Sequence, residues 1–216
     1  MIAAEQAIRR AGMDKNDPIL QPYTAKAKPA LVEVPAGWFI RINGQGDPND
    51  EAFALATSAL FSLSYAVRMS YKSDHVPVGY QTYKVFPLEG EWGLVDPTLA
   101  ATNRDNWAYS LMIRQPPFLG MADHQRIAAE VARKKPNPLI SAARFELVEE
   151  GLCCQALHIG PYSQEPATFA LMDAFIKQQG FCRAGHGHRE IYLGDPRKAA
   201  PASLRTILRV KVVATR

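Results

Sequence analysis

Apolar residues in this chain recur at two spacings, and the changes of spacing mark its elements. From Glu51 to Met69, the residues Phe53, Ala56, Leu60, Leu63 and Val67 return every three or four positions, the period of a helix with one buried face. Asn49 or Asp50 stands where an N-cap is needed. Met121 to Lys135 predicts a second helix, broken by Pro136-Asn137-Pro138. A third runs from Pro166 to about Gln179, with Phe169, Met172, Phe175 and Ile176 inward and Gly180 at its C-terminal end. Strands are expected at Leu31–Val34, Trp38–Ile42, Gly79–Leu88, Asn106–Arg114, Ala143–Val148, Cys153–Ile159, Arg189–Leu193 and Leu204–Val213. In the fourth of these the alternation is clear: Trp107, Tyr109, Leu111 and Ile113 share one face, and Ala108, Ser110, Met112 and Arg114 the other.

The order of elements repeats. Pro29-Ala30-Leu31-Val32-Glu33-Val34 stands against Ala143-Arg144-Phe145-Glu146-Leu147-Val148, and each is followed by a strand, a turn-rich loop, a helix and two more strands. The loop follows Ile42 in one half and Ile159 in the other. Such duplication predicts an α+β fold of two strand–helix–strand–strand modules, an antiparallel sheet with helices on one face and a pseudo-twofold groove between halves. The expected domain spans 29–216, with halves at about 29–116 and 140–216 and helix 121–135 between them. Residues 1–28 read as an N-terminal arm, with a short helix at Ile2–Arg10 and an extended linker punctuated by Pro18, Pro22 and Pro29.

Composition narrows the function classes. The chain has 216 residues, 47% hydrophobic, with a net charge of +4. Its Lys and Arg residues are dispersed, so direct nucleic-acid binding is not expected. Cys153, Cys154 and Cys182 form no disulfide framework, and no run approaches the ~20 apolar residues of a membrane span. A cytoplasmic protein is expected, monomeric or homodimeric. Gly44-Gln45-Gly46 is too short for a nucleotide fingerprint, and His186 and His188 lack a third ligand, so no cofactor and no metal is expected.

Glu190 is the leading candidate for chemistry. Strand alternation places His188, Glu190 and Tyr192 on one face, so an acid would stand among aromatic walls, where desolvation makes a carboxylate a stronger base. Trp107 and Tyr109 offer flat surfaces for planar or cationic guests. Met112 is adaptable but sits on the opposite face of its strand. Tyr65, Trp92 in a turn-like stretch, Tyr162 and Phe169 are further candidates for ligand contact. Glu165, next to Pro166 at a helix start, is explained by the helix dipole.

Five segments resemble the GyrI-like small-molecule-binding family: Pro87-Leu88-Glu89-Gly90-Glu91-Trp92, Leu111-Met112-Ile113-Arg114-Gln115-Pro116, His158-Ile159-Gly160-Pro161-Tyr162, Glu165-Pro166-Ala167-Thr168 and Glu190-Ile191-Tyr192-Leu193-Gly194-Asp195-Pro196-Arg197. The likeness covers about Pro29 to Val213. It implies a central groove for lipophilic, often cationic, aromatic molecules, with the motif glutamate at Glu190. Some stand-alone members hydrolyse cyclopropane-bearing DNA alkylators, opening the strained ring with water. That role implies Glu190 as base, with Tyr109 or Tyr192 as hydrogen-bond donor. The alternative is a non-catalytic domain that sequesters or senses drugs, or one that modulates a partner such as DNA gyrase. No helix-turn-helix segment precedes Pro29, which argues against transcription-factor activity in cis.

Overall fold

The computed structural model describes residues 18–100 and 102–215, so the helix expected at Ile2–Arg10 lies outside the described residues. Among the described residues nine strands form one antiparallel sheet with few helices, an α+β architecture. In chain order these are β1 (Ala30–Val34), β2 (Gly37–Gln45), β3 (Leu88–Leu94), β4 (Trp107–Arg114), β5 (Arg144–Val148), β6 (Gly151–Ile159), β7 (Phe181–Arg183), β8 (His188–Tyr192) and β9 (Arg205–Ala214). The helices are α1 (Glu51–Met69), α2 (Met121–Lys134), the single turn α3 (Leu139–Ala142) and α4 (Glu165–Gln178).

Across the sheet the strands run β1-β6-β9-β8-β3-β4-β2-β5, and β7 adds to β9. The duplication is visible as a constant offset. A shift of 114 residues carries Ala30 to Arg144, Gly37 to Gly151 and Glu51 to Glu165, the first residues of β1 and β5, β2 and β6, α1 and α4. Under this shift Gln45, not Ile42, is the counterpart of Ile159. The two leading strands are exchanged: β1 pairs with β6 and β5 with β2. The halves meet at β3 and β8, where Gly90 lies opposite Glu190. The local pseudo-twofold axis passes through that pair.

α1 and α4 cover the same face of the sheet. Ala56, Leu60, Leu63 and Val67 of α1 are fully buried, as their period requires, against Ile40, Ile42, Leu111 and Ile113. Burying each large aliphatic side chain stabilises the fold by about 1.5–3 kcal/mol. By length and composition the helix Glu51–Lys72 could cross a bilayer, but its apolar stripe is the core of this layer. Met172 and Ile176 of α4 pack on Cys154, Ala156, Leu208 and Val210. α1 rests on β2 and β4, and α4 on β6 and β7, leaving β3 and β8 between them.

Two regions differ from the sequence reading. Residues 79–88 are not a strand; Gly79 turns with φ 74°, and Tyr80, Tyr83 and Phe86 plug the core from an irregular segment. The strand lies one step later, at Leu88–Leu94. Residues 18–28 are not a loose linker. Pro18–Tyr23 forms a 3₁₀ turn with Ile19 and Pro22 buried, and the Lys26 carbonyl accepts from the Leu157 amide at 2.8 Å. This segment crosses the face opposite the helices, where Tyr23 donates its hydroxyl proton to Glu89.

That second face carries a buried ion network. Arg189 lies 3.1 Å from Glu89 and 3.2 Å from Glu150, and Arg209 lies 2.8 Å from Glu150. Arg209 also donates to Gln155 and to the Pro22 carbonyl. Each charge is paired, which is the condition under which such groups are tolerated out of water.

Candidate functional site

Strand alternation on β3 and β8 divides their residues between the two faces. Glu89 and Arg189 join the ion network, while Trp92, His188, Glu190 and Tyr192 project on the helix-bearing side. Gly90 makes this arrangement possible. A Cβ there would come within 2.8 Å of Trp92 Nε1 and 3.0 Å of the Tyr192 hydroxyl. Its two glycines make β3 look turn-like in the sequence, but at Gly90 the missing side chain is space that two rings occupy.

Glu190 is 9% exposed. His188 Nε2 lies 3.0 Å from its Oε1. The Tyr192 hydroxyl hydrogen-bonds to Glu190 and accepts from Trp92 Nε1 at 2.9 Å. Burial, then the charge of Glu190, holds the Tyr192 phenol well above its ordinary range. Rings wall the acid on both sides. Phe169 of α4 meets His188 edge-on at 4.8 Å, and Tyr162 meets Tyr192 edge-on at 6.1 Å. Toward the first module, Phe53 of α1 stacks on Trp92 at 5.9 Å, and Trp92 in turn touches Tyr109 and Trp107.

A second carboxyl completes the cluster. Glu165, the first residue of α4, is 7% exposed and hydrogen-bonded to Glu190. Burial first, and then the neighbouring charge of Glu190, push its carboxyl up to about 9. Its Oε1 is buried with no donor group reaching it. Two carboxyls in contact in a desolvated setting share one proton. The helix-dipole account of Glu165 is therefore insufficient: Gln164 is the N-cap, and Glu165 turns inward. Under the module offset its counterpart is Glu51, which is exposed. The sequence carried one signal of this difference, the apolar neighbours of Glu165 on the α4 stripe. Tyr162 responds to the same cluster; burial, then Glu190 and Glu165, raise its phenol to about 12.

The remaining sequence candidates separate. Trp92, Trp107, Tyr162, Phe169 and His188 lie in or against the cluster. Tyr109 contributes its ring to the wall, but its hydroxyl end lies over Gly44 of β2, on the side away from β8. Met112 is fully buried on the opposite face, in register with Arg41 and Glu89, so it does not line this groove. Tyr65 is half-exposed beside Phe61, about three helical turns beyond Phe53. A separate cavity of about 620 Å³ lies at the start of α4, lined by Leu157, His158, Thr168 and Leu171. Its histidine is already engaged, Nδ1 with the Thr168 hydroxyl and Nε2 with the Pro161 carbonyl. Among the described residues no group of three or more His, Cys, Asp or Glu side chains is placed to hold a metal.

Comparisons with known proteins agree with this architecture. The chain is similar to a hydrolase from Listeria innocua, with 33% identity and a TM-score of 0.82, covering 89% of this chain and 95% of that one. An uncharacterized conserved protein from Listeria innocua is 33% identical with a TM-score of 0.86, covering 94% of this chain and 100% of that one. The EcmrR C-terminal domain shares the fold alone, at 12% identity and a TM-score of 0.52 over 87% of this chain and 98% of that one. No protein with a curated description matches. The model of the GyrI-like small molecule binding domain matches residues 27–212, and with a buried acid among rings between two duplicated modules, the chain belongs to that family.

Proposed function

We propose that the cleft over β3 and β8 binds small, flat, lipophilic molecules, neutral or singly cationic, and opens cyclopropane-bearing toxins with water. The observation that carries this reading is Glu190, an acid withdrawn from solvent between Trp92, Tyr192, His188 and Phe169. Aromatic walls favour a conjugated guest by burial and stacking. Glu190 takes a proton from water, whose oxygen bonds to a ring carbon. The strained carbon–carbon bond breaks, and its electron pair moves through the conjugated system to a carbonyl oxygen, which is protonated from solvent while Glu190 returns its proton to solvent. Tyr192 is held by Trp92 and keeps Glu190 in place, so Tyr162 is the hydrogen-bond donor to the oxygen that collects charge. The likeness to a Listeria innocua hydrolase at 33% identity supports a hydrolytic role, though not this particular substrate.

Purified protein incubated with a cyclopropane-bearing alkylator, followed by mass spectrometry of the hydrated product, tests this. Glu190→Gln is expected to lose at least about 100-fold in turnover. Wild-type rates in that variant would remove Glu190 as base. A second reading rests on the engagement of Glu190 by His188, Tyr192 and Glu165, which suits a fixed counter-ion. On that reading a lipophilic cation binds saturably and the alkylator is recovered unchanged.

A further inference from the structure

Glu165 has no part in the ring-opening steps above, yet it is built into the site. It is the first residue of a 14-residue helix, it is 7% exposed, its side chain hydrogen-bonds to Glu190, and its Oε1 is buried with no donor group reaching it. A group placed so is costly to the fold. We propose that Glu165 is a positioning residue: it carries the one proton of the carboxyl pair, donates it to Glu190 as a hydrogen bond, and so limits the cleft to a single negative charge suited to a monocationic or neutral guest. The inference rests on the cleft being the ligand site.

Among the described residues no Lys or Arg forms an ion pair with either carboxyl; the nearest basic group is His188, 3.0 Å from Glu190. Facing the pair from β8 are Tyr192 and His188, and from the turn before α4, Tyr162. Asp195, beyond β8, adds a further negative charge near Tyr162. On the elements packed under α4, His158 of β6 is held by Thr168, and Arg183 of β7 is bound to Asp173 at 2.6 Å with its guanidinium over Phe169. Neither side chain is aimed at the carboxyls. Ionising both acids would therefore place two adjacent anions in a desolvated cleft, which the shared proton avoids.

Two measurements decide the matter. In ligand-free protein labelled with ¹³C at glutamate carboxyls, one side-chain resonance should titrate far above the ordinary carboxylate range and vanish in Glu165→Gln. In Glu190→Gln its midpoint should move down, because a neighbouring charge has gone. Second, affinity for a permanently charged N-alkylpyridinium dye should rise about tenfold between pH 7 and pH 10 in the wild type, as the second carboxyl ionises. The rise should be absent in Glu165→Gln, with circular dichroism confirming the fold of each protein at each pH. All glutamate resonances titrating near ordinary values would overturn the inference, and so would an unchanged pH response in Glu165→Gln. Saturable dye binding with either of those results would leave the cleft as the ligand site and reject only the role of Glu165. A high-midpoint resonance without dye binding would instead reject the monocation reading.

Discussion

Replacing Glu165 by Gln should make the protein more stable at neutral pH while impairing its cleft. The carboxyl sits near 4.5 when unperturbed and is pushed up to about 9 in the fold. Below pH 4.5 both folded and unfolded chains hold the proton, so the wild type bears no penalty. As pH rises from there the unfolded chain releases its proton and the folded chain does not, so stability falls until about pH 9. At pH 7 the interval already crossed is about 2.5 pH units, which at 1.36 kcal/mol each makes a penalty of about 3 kcal/mol. Gln has the shape of the neutral acid, can donate to Glu190, and ionises in neither state. Urea denaturation of both proteins at pH 5 and pH 7.5 measures the difference. The gap should be under about 1 kcal/mol at the lower pH and about 4 kcal/mol at the higher, with a rise in Tm of about 8–16 °C at pH 7.5. An equal gap at both pH values would show that the two states hold the Glu165 proton alike, and would refute the reasoning.

Gly90→Ala should destabilise by about 1–3 kcal/mol, since the new methyl meets Trp92 and Tyr192, whereas Gly93→Ala, with open space around its Cβ, should be close to neutral in the same thermal melts. Arg189→Met leaves Glu89 and Glu150 facing each other without one of their cations, and should cost about 3–5 kcal/mol in urea titrations. Trp92→Leu should weaken dye binding more than about tenfold, the equivalent of about 1.4 kcal/mol, while Met112→Leu, on the far side of the sheet, leaves affinity unchanged.

Period alone was enough for α1 and α4, because Leu60, Leu63 and Val67, or Met172 and Ile176, each answer to one buried sheet surface. It also separated Trp107 and Tyr109 from Met112, and Glu190 from Arg189. It failed at Leu88–Leu94, where glycine served packing rather than turning, and at 79–88, where aromatic spacing that mimics a strand fills a core from an irregular path. Proline density at 18–29 read as looseness, but the buried charges of Glu89 and Arg209 draw that stretch down through Tyr23 and the Pro22 carbonyl, an attraction between residues far apart in sequence. The Glu165–Glu190 contact was illegible for the same reason. Twenty-five positions separate the two acids, and only the placement of α4 beside β8 joins them.

The crossing-over of β1 and β5 has a mechanical consequence. Each lobe finishes its outer edge with a ribbon borrowed from the other, as if two intertwined subunits had been fused into one polypeptide. Neither lobe can open by itself without exposing a bare ladder of amides, so melting should proceed as one all-or-none event rather than lobe by lobe. A chain nicked in the connection before β5 should for the same reason hold together as a tight two-fragment complex, each piece clasping the other by its first strand.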